Sequence, residues 1–258
     1  MKVVILCGGY GTRLKEAAEF KPKPMVEIGG KPILWHIMKI YAHYGFNEFI
    51  LCLGYQGEQI KRYFLDYNVI NNDFTVSLGE KKNIKFHTNH VESQWKVTLV
   101  DTGEQAQTGA RLKGIEKYIT EDSFMLTYGD GVGNINIRKL LAFHRSHGKI
   151  GTVTGVRPSS RFGELILDGN KVQRFNEKPQ TTFGYINGGF FVFRKEFFRY
   201  VTDNLDCRLE GKPLEQLVTD DQFHVYCHDG FWQCMDTKRE LDSLVALWHE
   251  SQAPWKIW

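Results

Sequence analysis

Three glycines near the amino terminus have the spacing of a loop that binds phosphate. Gly8, Gly9 and Gly11 directly follow a short apolar run, and two basic residues, Arg13 and Lys23, come soon afterwards. Glycines let the backbone turn tightly and approach a bulky ligand, so that backbone N–H groups can point at phosphate oxygens. The two basic side chains would supply the countercharge. The pattern therefore favours phosphoryl or nucleotidyl transfer from a nucleoside triphosphate.

Three different kinds of loop could also contain these glycines. They could serve only a turn that needs positive φ angles. A dinucleotide-binding G-x-G-x-x-G pattern starts at Gly9 and Gly11 but would place its third glycine on Leu14. The Walker pattern also fails, because the sequence contains no Gly-Lys-Ser or Gly-Lys-Thr. What remains beside the simple turn is a different phosphate loop, in which the basic residues follow the glycines.

Two acidic residues are candidates for holding a metal ion. Asp130 lies between two glycines where the strand-like run at residues 124–127 ends in Tyr128-Gly129-Asp130-Gly131, and ligands of open α/β sheets bind at the carboxyl ends of strands. Asp236 follows an apolar segment and precedes a helix. Each could have an ordinary structural role, as a turn residue for Asp130 and as a helix N-cap for Asp236. Together they could hold one Mg²⁺, which proteins usually bind through one or two carboxylates plus substrate phosphates.

Two segments of the second half suggest a pocket for a sugar phosphate. Glu177 could accept hydrogen bonds from sugar hydroxyls and Lys178 could bind a phosphate, although the two residues alone favour a surface ion pair. Asn187, Gly188 and Gly189 interrupt an otherwise apolar strand. Glycines inside a strand indicate either a bulge or a close approach of the backbone to a ligand.

Composition describes an ordinary globular protein. Of the 258 residues 42% are hydrophobic and 24% charged, and the net charge of +3, without long basic tracts, does not favour nucleic acid as a partner. The five cysteines contain no C-x-x-C pair, and their odd number argues against a complete disulfide framework. No export signal or membrane-spanning stretch is visible, so a cytoplasmic location without membrane contact is expected.

Histidines and tryptophans receive simpler interpretations. His144 and His147 are three residues apart, as are His87 and His90, but no third ligand at metal-site spacing accompanies them, so no transition-metal centre is expected. Packing or a subunit interface explains the tryptophans near the carboxyl end, which are Trp232, Trp248, Trp255 and Trp258.

The elements that must position these residues alternate between strand and helix, which predicts an α/β fold built from βαβ units. Helices are predicted near residues 32–44, 58–67, 112–119 and 237–250. Strands are predicted at residues 3–6, 49–53, 74–78, 84–87, 97–100, 124–127, 150–156, 164–167, 171–175, 185–193 and 222–227. Residues 168–170 form a predicted hairpin turn. We expect one domain over residues 1–258, with a nucleotide-binding half at about 1–148 and a β-rich sugar-phosphate half at about 149–258.

With these motifs in place, the chain resembles the sugar-1-phosphate nucleotidyltransferases. That family has a G-G-x-G-T-R-L loop, a K-P-x-x-M segment, a strand ending in G-D, an E-K-P motif and a late aspartate. This chain has them in the same order, at residues 8–14, 21–25 (Lys21-Pro22-Lys23-Pro24-Met25), 129–130, 177–179 and 236. The likeness covers nearly the whole chain and is closest to members that transfer a cytidylyl group. One departure is Cys7, where alanine is more usual.

The resemblance implies a fold, a reaction and a set of site residues. The fold would be a mostly parallel mixed sheet flanked by helices, the nucleotide-diphospho-sugar transferase fold. CTP and α-D-glucose 1-phosphate would give CDP-glucose and pyrophosphate with Mg²⁺ as cofactor, in a homo-oligomer that supplies dideoxysugar and O-antigen synthesis. Arg13, Lys23 and Asp130 would be catalytic, and Asp130 and Asp236 would hold the metal. The nucleotide would be bound by Leu6, Cys7, Gly8, Gly9, Gly11, Thr12, Arg13, Thr108, Gly109 and Arg111. The sugar phosphate would be bound by Gly163, Glu177, Lys178, Asn187 and Gly188.

Two alternatives remain open at this point. The chain could make UDP-glucose or dTDP-glucose, since the choice of base rests on a few hydrogen bonds that residue patterns do not reveal. It could also be a non-catalytic module that binds sugar nucleotides, although such a module would be expected to lose a metal carboxylate or the loop arginine, and all of them are present.

Overall fold

The computed structural model describes residues 1–9, 21–79, 83–158, 164–168, 171–176 and 184–258. Its longer strands are β1 (Val3–Leu6), β4 (Glu48–Leu53), β7 (Lys96–Asp101), β8 (Ser123–Tyr128), β10 (Gly151–Val156), β13 (Ile186–Arg194) and β14 (Phe223–His228). Shorter pairs are β2 (Glu27–Ile28) with β3 (Lys31–Pro32), β5 (Phe74–Ser77) with β6 (Asn83–Phe86), β9 (Gly131–Gly133) with β15 (Trp232–Cys234), and β11 (Glu164–Asp168) with β12 (Lys171–Asn176). The helices are α1 (Ile33–His43), α2 (Gly57–Leu65), α3 (Tyr67–Asn71), α4 (Thr108–Gly114), α5 (Ile137–His147), α6 (Lys212–Thr219) and α7 (Lys238–His249).

The seven longer strands form one mixed sheet in the order β14-β10-β13-β8-β1-β4-β7. β1 pairs in parallel with both β4 and β8, β4 with β7, and β10 with β14. Only β13 runs antiparallel to its neighbours, β8 and β10. The expected α/β class with a mostly parallel sheet is confirmed, and strands from both halves of the chain share the same sheet.

Helices cover the two faces of this sheet, because side chains alternate along each strand. In β1, Val3 and Ile5 pack into the cluster that contains α1 and α7, whereas Val4 and Leu6 pack into the cluster that contains α4 and α6. All four side chains are buried. Burial on both faces explains why this strand is uninterruptedly apolar, as parallel strands inside a three-layer fold usually are.

The amino-terminal helix and the tryptophans of the carboxyl end pack against each other around a buried histidine. His36 of α1 donates its Nε2–H to the Ile28 carbonyl oxygen at 2.9 Å and accepts the Trp255 indole N–H on Nδ1 at 3.4 Å. Its ring meets that of Trp248 edge-on, with 4.7 Å between ring centroids. Burial lowers the pKa of His36 to about 4. Packing within the chain therefore explains Trp248 and Trp255.

The second half contains the predicted hairpin and a bulge. β11 and β12 pair antiparallel with Asp168 opposite Lys171, which confirms the hairpin, while residues 169 and 170 of its turn lie outside the described residues. The ladder between β10 and β13 shifts register between Val153 and Gly155. Gly189 lies on β13 at this level with a φ of +78°. The glycines of this strand thus coincide with a bulge, one of the two expected outcomes.

Two predicted helices differ from the observed ones. The helix expected at residues 112–119 begins at Thr108 and ends at Gly114, followed by a short 3₁₀ turn over Glu116–Tyr118. It starts early because carbonyls of residues 205 and 207, distant in sequence, accept the N–H groups of residues 107, 109 and 110. The helix expected at 58–67 is divided at Asp66 into α2 and α3.

No helix in the part of the chain that the structure describes is both long enough and apolar enough to cross a bilayer.

Candidate active site

Neighbouring strands bring the glycine loop and Asp130 to the same edge of the sheet. β1 and β8 are adjacent and parallel, with Leu6 opposite Tyr128, so the residues that follow each strand emerge side by side. A cavity of about 290 Å³ opens there, and it is lined by Leu6, Cys7, Gly8, Gly9, Lys23, Pro24, Glu104, Gln105, Ala106, Gln107, Thr108, Arg111, Tyr128, Gly129, Asp130 and Asp236. A cavity at the carboxyl ends of strands is where an α/β sheet binds its ligands.

Asp236 reaches Asp130 through pairing of short strands. β15 pairs with β9, placing Cys234 opposite Gly131, and the Met235 N–H donates to the Asp130 carbonyl at 2.8 Å. The residue after Met235 is therefore held beside the end of β8. The structure thus brings together two acids that are more than a hundred residues apart in sequence, as the metal hypothesis requires.

The N-cap role considered for Asp236 is wrong. The N-cap of α7 is Thr237, whose hydroxyl accepts the Glu240 N–H at 3.3 Å. The Glu240 carboxylate in turn accepts the N–H groups of Asp236 and Thr237, both at 2.8 Å. This capping box satisfies the helix terminus without the Asp236 side chain, which turns toward the cavity instead.

Lys23 lies between the two aspartates. Its ammonium donates to Asp130 Oδ2 at 2.6 Å and also to Asp236 Oδ1. The Lys23 side chain is only 12% exposed, against 31% for Asp130 and 22% for Asp236. Burial by itself would lower the pKa of Lys23, but the charges and hydrogen bonds of Asp130 and Asp236 outweigh it and raise that pKa above its ordinary value. The ammonium is therefore the cation that both carboxylates share.

The pair of carboxylates fits a magnesium ion. Two side chains that meet on one ammonium are close enough to share a single ion, and carboxylate oxygens are hard donors of the kind Mg²⁺ prefers. Among the described residues, no group of three or more histidine, cysteine, aspartate or glutamate side chains is placed to hold a metal. Mg²⁺ held by one or two carboxylates usually completes its coordination with water or with substrate oxygens.

Arg111 occupies the wall of the same cavity but has a different set of partners. Its guanidinium donates to the carbonyl oxygens of Leu53, Gly103, Gly8 and Glu104 at 2.7–3.0 Å, and to Thr102 Oγ1 at 3.0 Å. The residue is buried. Arg111 therefore links the carboxyl ends of β1, β4 and β7 to one another. The expected direct contact of Arg111 with the nucleotide stays a prediction.

The two described glycines of the loop serve different purposes. A Cβ on Gly8 would overlap the Arg111 guanidinium, whereas a Cβ on Gly9 would meet nothing within 4 Å. Neither has a positive φ angle, so a turn that needs positive φ is not the reason for either glycine. Gly8 makes room for the arginine, and Gly9 leaves open space beside the cavity.

Cys7 contributes to the wall without offering its N–H group. The backbone N–H of Cys7 donates to the Cys52 carbonyl at 2.9 Å, which extends the sheet by one residue. Its thiol is buried, and burial raises its pKa well above the ordinary value. A neutral, buried thiol is consistent with cysteine replacing alanine at this position.

The residues expected to bind the sugar phosphate are only partly described. Asn187 is exposed and donates from Nδ2 to the Tyr128 hydroxyl at 3.3 Å, while its Oδ1 accepts the Gly189 N–H at 2.8 Å. The glycines face protein atoms, because a Cβ on Gly189 would lie 2.5 Å from the Tyr128 ring and one on Gly188 would lie 2.6 Å from Val156. Neither Asn187 nor Gly188 lines the cavity itself.

The remaining expected residues divide into two groups. Thr108 lines the cavity at the first turn of α4, and Gly109 packs beside it against Cys207, whose sulfur would lie 2.7 Å from an added Cβ. The others lie outside the described residues, and they are Gly11, Thr12, Arg13, Gly163, Glu177 and Lys178. Their roles stay predictions.

Sequence reasoning missed several residues at the cavity. The loop of residues 104–107 lines it, and Tyr128 precedes the predicted Gly129-Asp130 pair by one position. Glu210, from a distant segment, accepts hydrogen bonds from Thr108 at 2.7 Å and from Tyr128 at 2.6 Å. Gly103, two residues after β7, is the sequence signal that could have indicated the loop, and its φ in the structure is +92°. Glu210 has no such signal.

Comparison with known proteins agrees with this geometry. Residues 2–239 match the family model described as Nucleotidyl transferase. The chain is 46% identical over 259 residues to a glucose-1-phosphate cytidylyltransferase of Salmonella typhi, and 44% identical over 260 residues to a probable one of Bacillus subtilis, with all of each chain covered. A putative glucose-1-phosphate thymidylyltransferase structure from Bacillus anthracis superimposes with a TM-score of 0.70 at 17% identity, covering 98% of this chain and 95% of that one.

Proposed function

Because the chain belongs to the nucleotidyl transferase family, we propose that it transfers a cytidylyl group from CTP to α-D-glucose 1-phosphate, giving CDP-glucose and pyrophosphate. The observation that carries this proposal is the meeting of Asp130 and Asp236 on the Lys23 ammonium beside the glycine loop. The choice of CTP and glucose 1-phosphate is supported by the relatives of 44–46% identity that span the full chain.

The reaction joins two anions and needs no general base. A phosphate monoester has a second pKa of about 6, so glucose 1-phosphate is already a nucleophile near neutral pH. One of its oxygens forms a bond to the α-phosphorus of CTP, the bond to the bridging oxygen of the β-phosphate breaks, and pyrophosphate leaves. Holding the reactants in line supplies at best about 7–11 kcal/mol of the barrier.

The remaining requirement is to neutralise charge on the triphosphate and on the leaving pyrophosphate. Asp130 and Asp236 would hold Mg²⁺, which when bound neutralises phosphate oxygens during phosphoryl and nucleotidyl transfer. Lys23, whose ammonium lies between these carboxylates, would supply positive charge to the phosphates at the same place. Arg13, with Gly11 and Thr12, completes the triphosphate site in this proposal, and Arg13 assists loss of pyrophosphate.

Asn187 and Gly188 of β13 supply the described part of the sugar-phosphate side. Asn187 lies one hydrogen bond away from Tyr128, which lines the cavity, so this edge of β13 is a suitable place for the sugar. Gly163, Glu177 and Lys178 belong to this pocket in the proposal, and Gly188 lies beside Asn187.

We also propose a homo-oligomer, which light scattering of the purified chain would test. Among the carboxyl-terminal tryptophans, Trp255 is fully buried within the chain and so is not available to such an interface.

One assay tests the proposal directly. Pyrophosphate release from glucose 1-phosphate is measured with CTP, UTP, dTTP, ATP and GTP, each with and without EDTA. CTP alone should support rapid release, and EDTA should abolish it. Preference for UTP or dTTP would identify a different pyrophosphorylase of the same family, and no release with any triphosphate would leave a binding module.

A further inference from the structure

A single carboxylate joins the two walls of the cavity. Glu210 accepts the Thr108 hydroxyl on Oε2 at 2.7 Å and the Tyr128 hydroxyl on Oε1 at 2.6 Å. Thr108 begins α4, and Tyr128 ends the central strand β8. Glu210 is exposed at the surface, whereas Thr108 and Tyr128 both line the cavity.

The segment that carries Glu210 is itself fixed to the amino terminus of α4. The Gln107 N–H donates to the Leu205 carbonyl at 2.8 Å, and the Gly109 and Ala110 N–H groups donate to the Cys207 carbonyl at 2.9 and 3.1 Å. The Thr108 hydroxyl also accepts the Leu209 N–H at 2.9 Å. These bonds satisfy the N–H groups at the start of the helix and place the Glu210 side chain over the cavity wall.

Tyr128 is held from its other side as well. Its ring lies against Gly189, where the positive φ and the missing Cβ allow direct contact with the backbone. Its hydroxyl accepts from Asn187 Nδ2 while donating to Glu210. The hydrogen bonds therefore form one continuous path, from Thr108 through Glu210 and Tyr128 to Asn187.

We infer that Glu210 is a positioning residue, which sets Thr108 and Tyr128 in the places that align the two substrates. This inference rests on the proposed function, in which Thr108 lies on the nucleotide side and Asn187 on the sugar side. A displacement of about 1 Å at a positioning group can cost on the order of 100-fold in rate. Because Glu210 touches neither reacting group in this arrangement, its removal should impair alignment rather than chemistry.

The test compares three substitutions of Glu210 in the full chain. Glu210→Ala removes both acceptors, and Glu210→Asp is one methylene too short to reach both hydroxyls. Glu210→Gln keeps the length, accepting from Tyr128 through its oxygen and donating to Thr108 through its amide N–H. We expect kcat/KM to fall on the order of 10- to 100-fold for the alanine and aspartate variants, and glutamine to restore most of it. Glu215→Ala, an exposed glutamate on α6, is the matched control.

A double-mutant cycle with Tyr128→Phe separates alignment from simple loss of contacts. If the two residues act as a unit, Tyr128→Phe should reduce kcat/KM in the parent chain and have no further effect in Glu210→Ala. Additive losses, or a Glu210→Ala variant as active as Glu215→Ala, would overturn the inference. If the parent chain releases no pyrophosphate at all, the proposed function fails instead. The same cycle is then read in the free energy of unfolding, where additivity would again reject the network.

Discussion

Lys23 and Arg111 are two cations in the wall of the same cavity, and they differ in what holds them. Arg111 is buried and donates to four backbone carbonyls and one hydroxyl, groups that cannot leave without unfolding the loops that carry them. Lys23 donates to two carboxylates at the cavity, and those same oxygens suit a divalent ion.

The difference between these cations shows that a basic residue in the cavity wall can join the surrounding loops through its hydrogen bonds. A planar guanidinium has donors enough to bind several carbonyls in fixed directions, so arginine suits a permanent joint. An ammonium on a flexible stem is a compact charge that can exchange one set of anions for another. We therefore assign Arg111 to the architecture of the site and Lys23 to its chemistry.

The largest effect is expected on kcat, when either of the carboxylates that bind Lys23 is replaced. Asp130→Asn and Asp236→Asn each remove one negative charge from the cation site, and the contribution of a metal to such reactions is several kcal/mol. We expect kcat for pyrophosphate release to fall on the order of 1,000-fold or more, which corresponds to about 4 kcal/mol. The free energy of unfolding should change little, because both side chains reach the cavity surface.

Asp242→Asn provides the control for these variants. Asp242 is an exposed acid of α7 that pairs with Lys238 four residues earlier, so its loss should leave kcat unchanged. Near-normal turnover in either Asp130→Asn or Asp236→Asn would remove that residue from the metal site. It would also remove the proposed difference between Lys23 and Arg111, because there would be no reason for Lys23 to give up its carboxylate partners to a metal.

The second effect concerns Arg111 and should appear in stability. Arg111→Met removes the guanidinium donor from the buried Gly8 carbonyl and from the partly buried carbonyls of Gly103 and Glu104, and each buried group left unpaired costs about 1–3 kcal/mol. We expect a loss of roughly 3 kcal/mol or more in the free energy of unfolding, measured by urea denaturation. Arg145→Met, at an exposed position of α5, should change it by less than about 0.5 kcal/mol. Equal stability of the two variants would show that Arg111 does not hold the surrounding loops together.

These two cations also show how far sequence reasoning reaches. Lys23 and Asp130 could be predicted because glycine loops and strand ends are local patterns, and parallel pairing places strand ends together. Asp236 needed one more step. The pattern Thr237-x-x-Glu240 is a capping box visible in the sequence, and it excludes Asp236 from the N-cap position.

Other features of the site depend on contacts that no local pattern reveals. The partners of Arg111 include the carbonyl of Gly8, 103 positions away, and backbone carbonyls carry no residue signature. Glu210 meets Thr108 across a similar separation. The seven-stranded order with β13 between β8 and β10 likewise depends on long-range pairing, although the class of the sheet followed from alternating strands and helices.

The third expected effect is a difference in stability between substitutions of Gly8 and Gly9, the two described glycines of the loop. In Gly8→Ala the new methyl group would overlap the guanidinium, which cannot move away without losing its carbonyl partners. Overpacking of this kind costs about 1–3 kcal/mol. In Gly9→Ala the methyl group enters open space, so the free energy of unfolding should change by less than about 0.5 kcal/mol while ligand binding is affected. If urea denaturation gave the two variants the same stability, Arg111 would have to be mobile, contrary to the role assigned to it.

The smallest effect isolates the exchange proposed for Lys23. In the absence of nucleotide, a magnesium ion held by Asp130 and Asp236 would compete with the ammonium that bonds both carboxylates. Lys23→Met removes that competitor, so the nucleotide-free protein should bind Mg²⁺ about 10-fold more tightly, which is about 1.4 kcal/mol. Calorimetric titration with Mg²⁺, or with Mn²⁺ followed by electron paramagnetic resonance, measures this without turnover.

Lys21→Met is the control, because Lys21 pairs with Glu27 at the exposed surface, 2.7 Å away. Unchanged or weaker metal binding in Lys23→Met would mean that the ammonium does not compete with the metal for the carboxylates. Lys23 would then have a structural role, as Arg111 has.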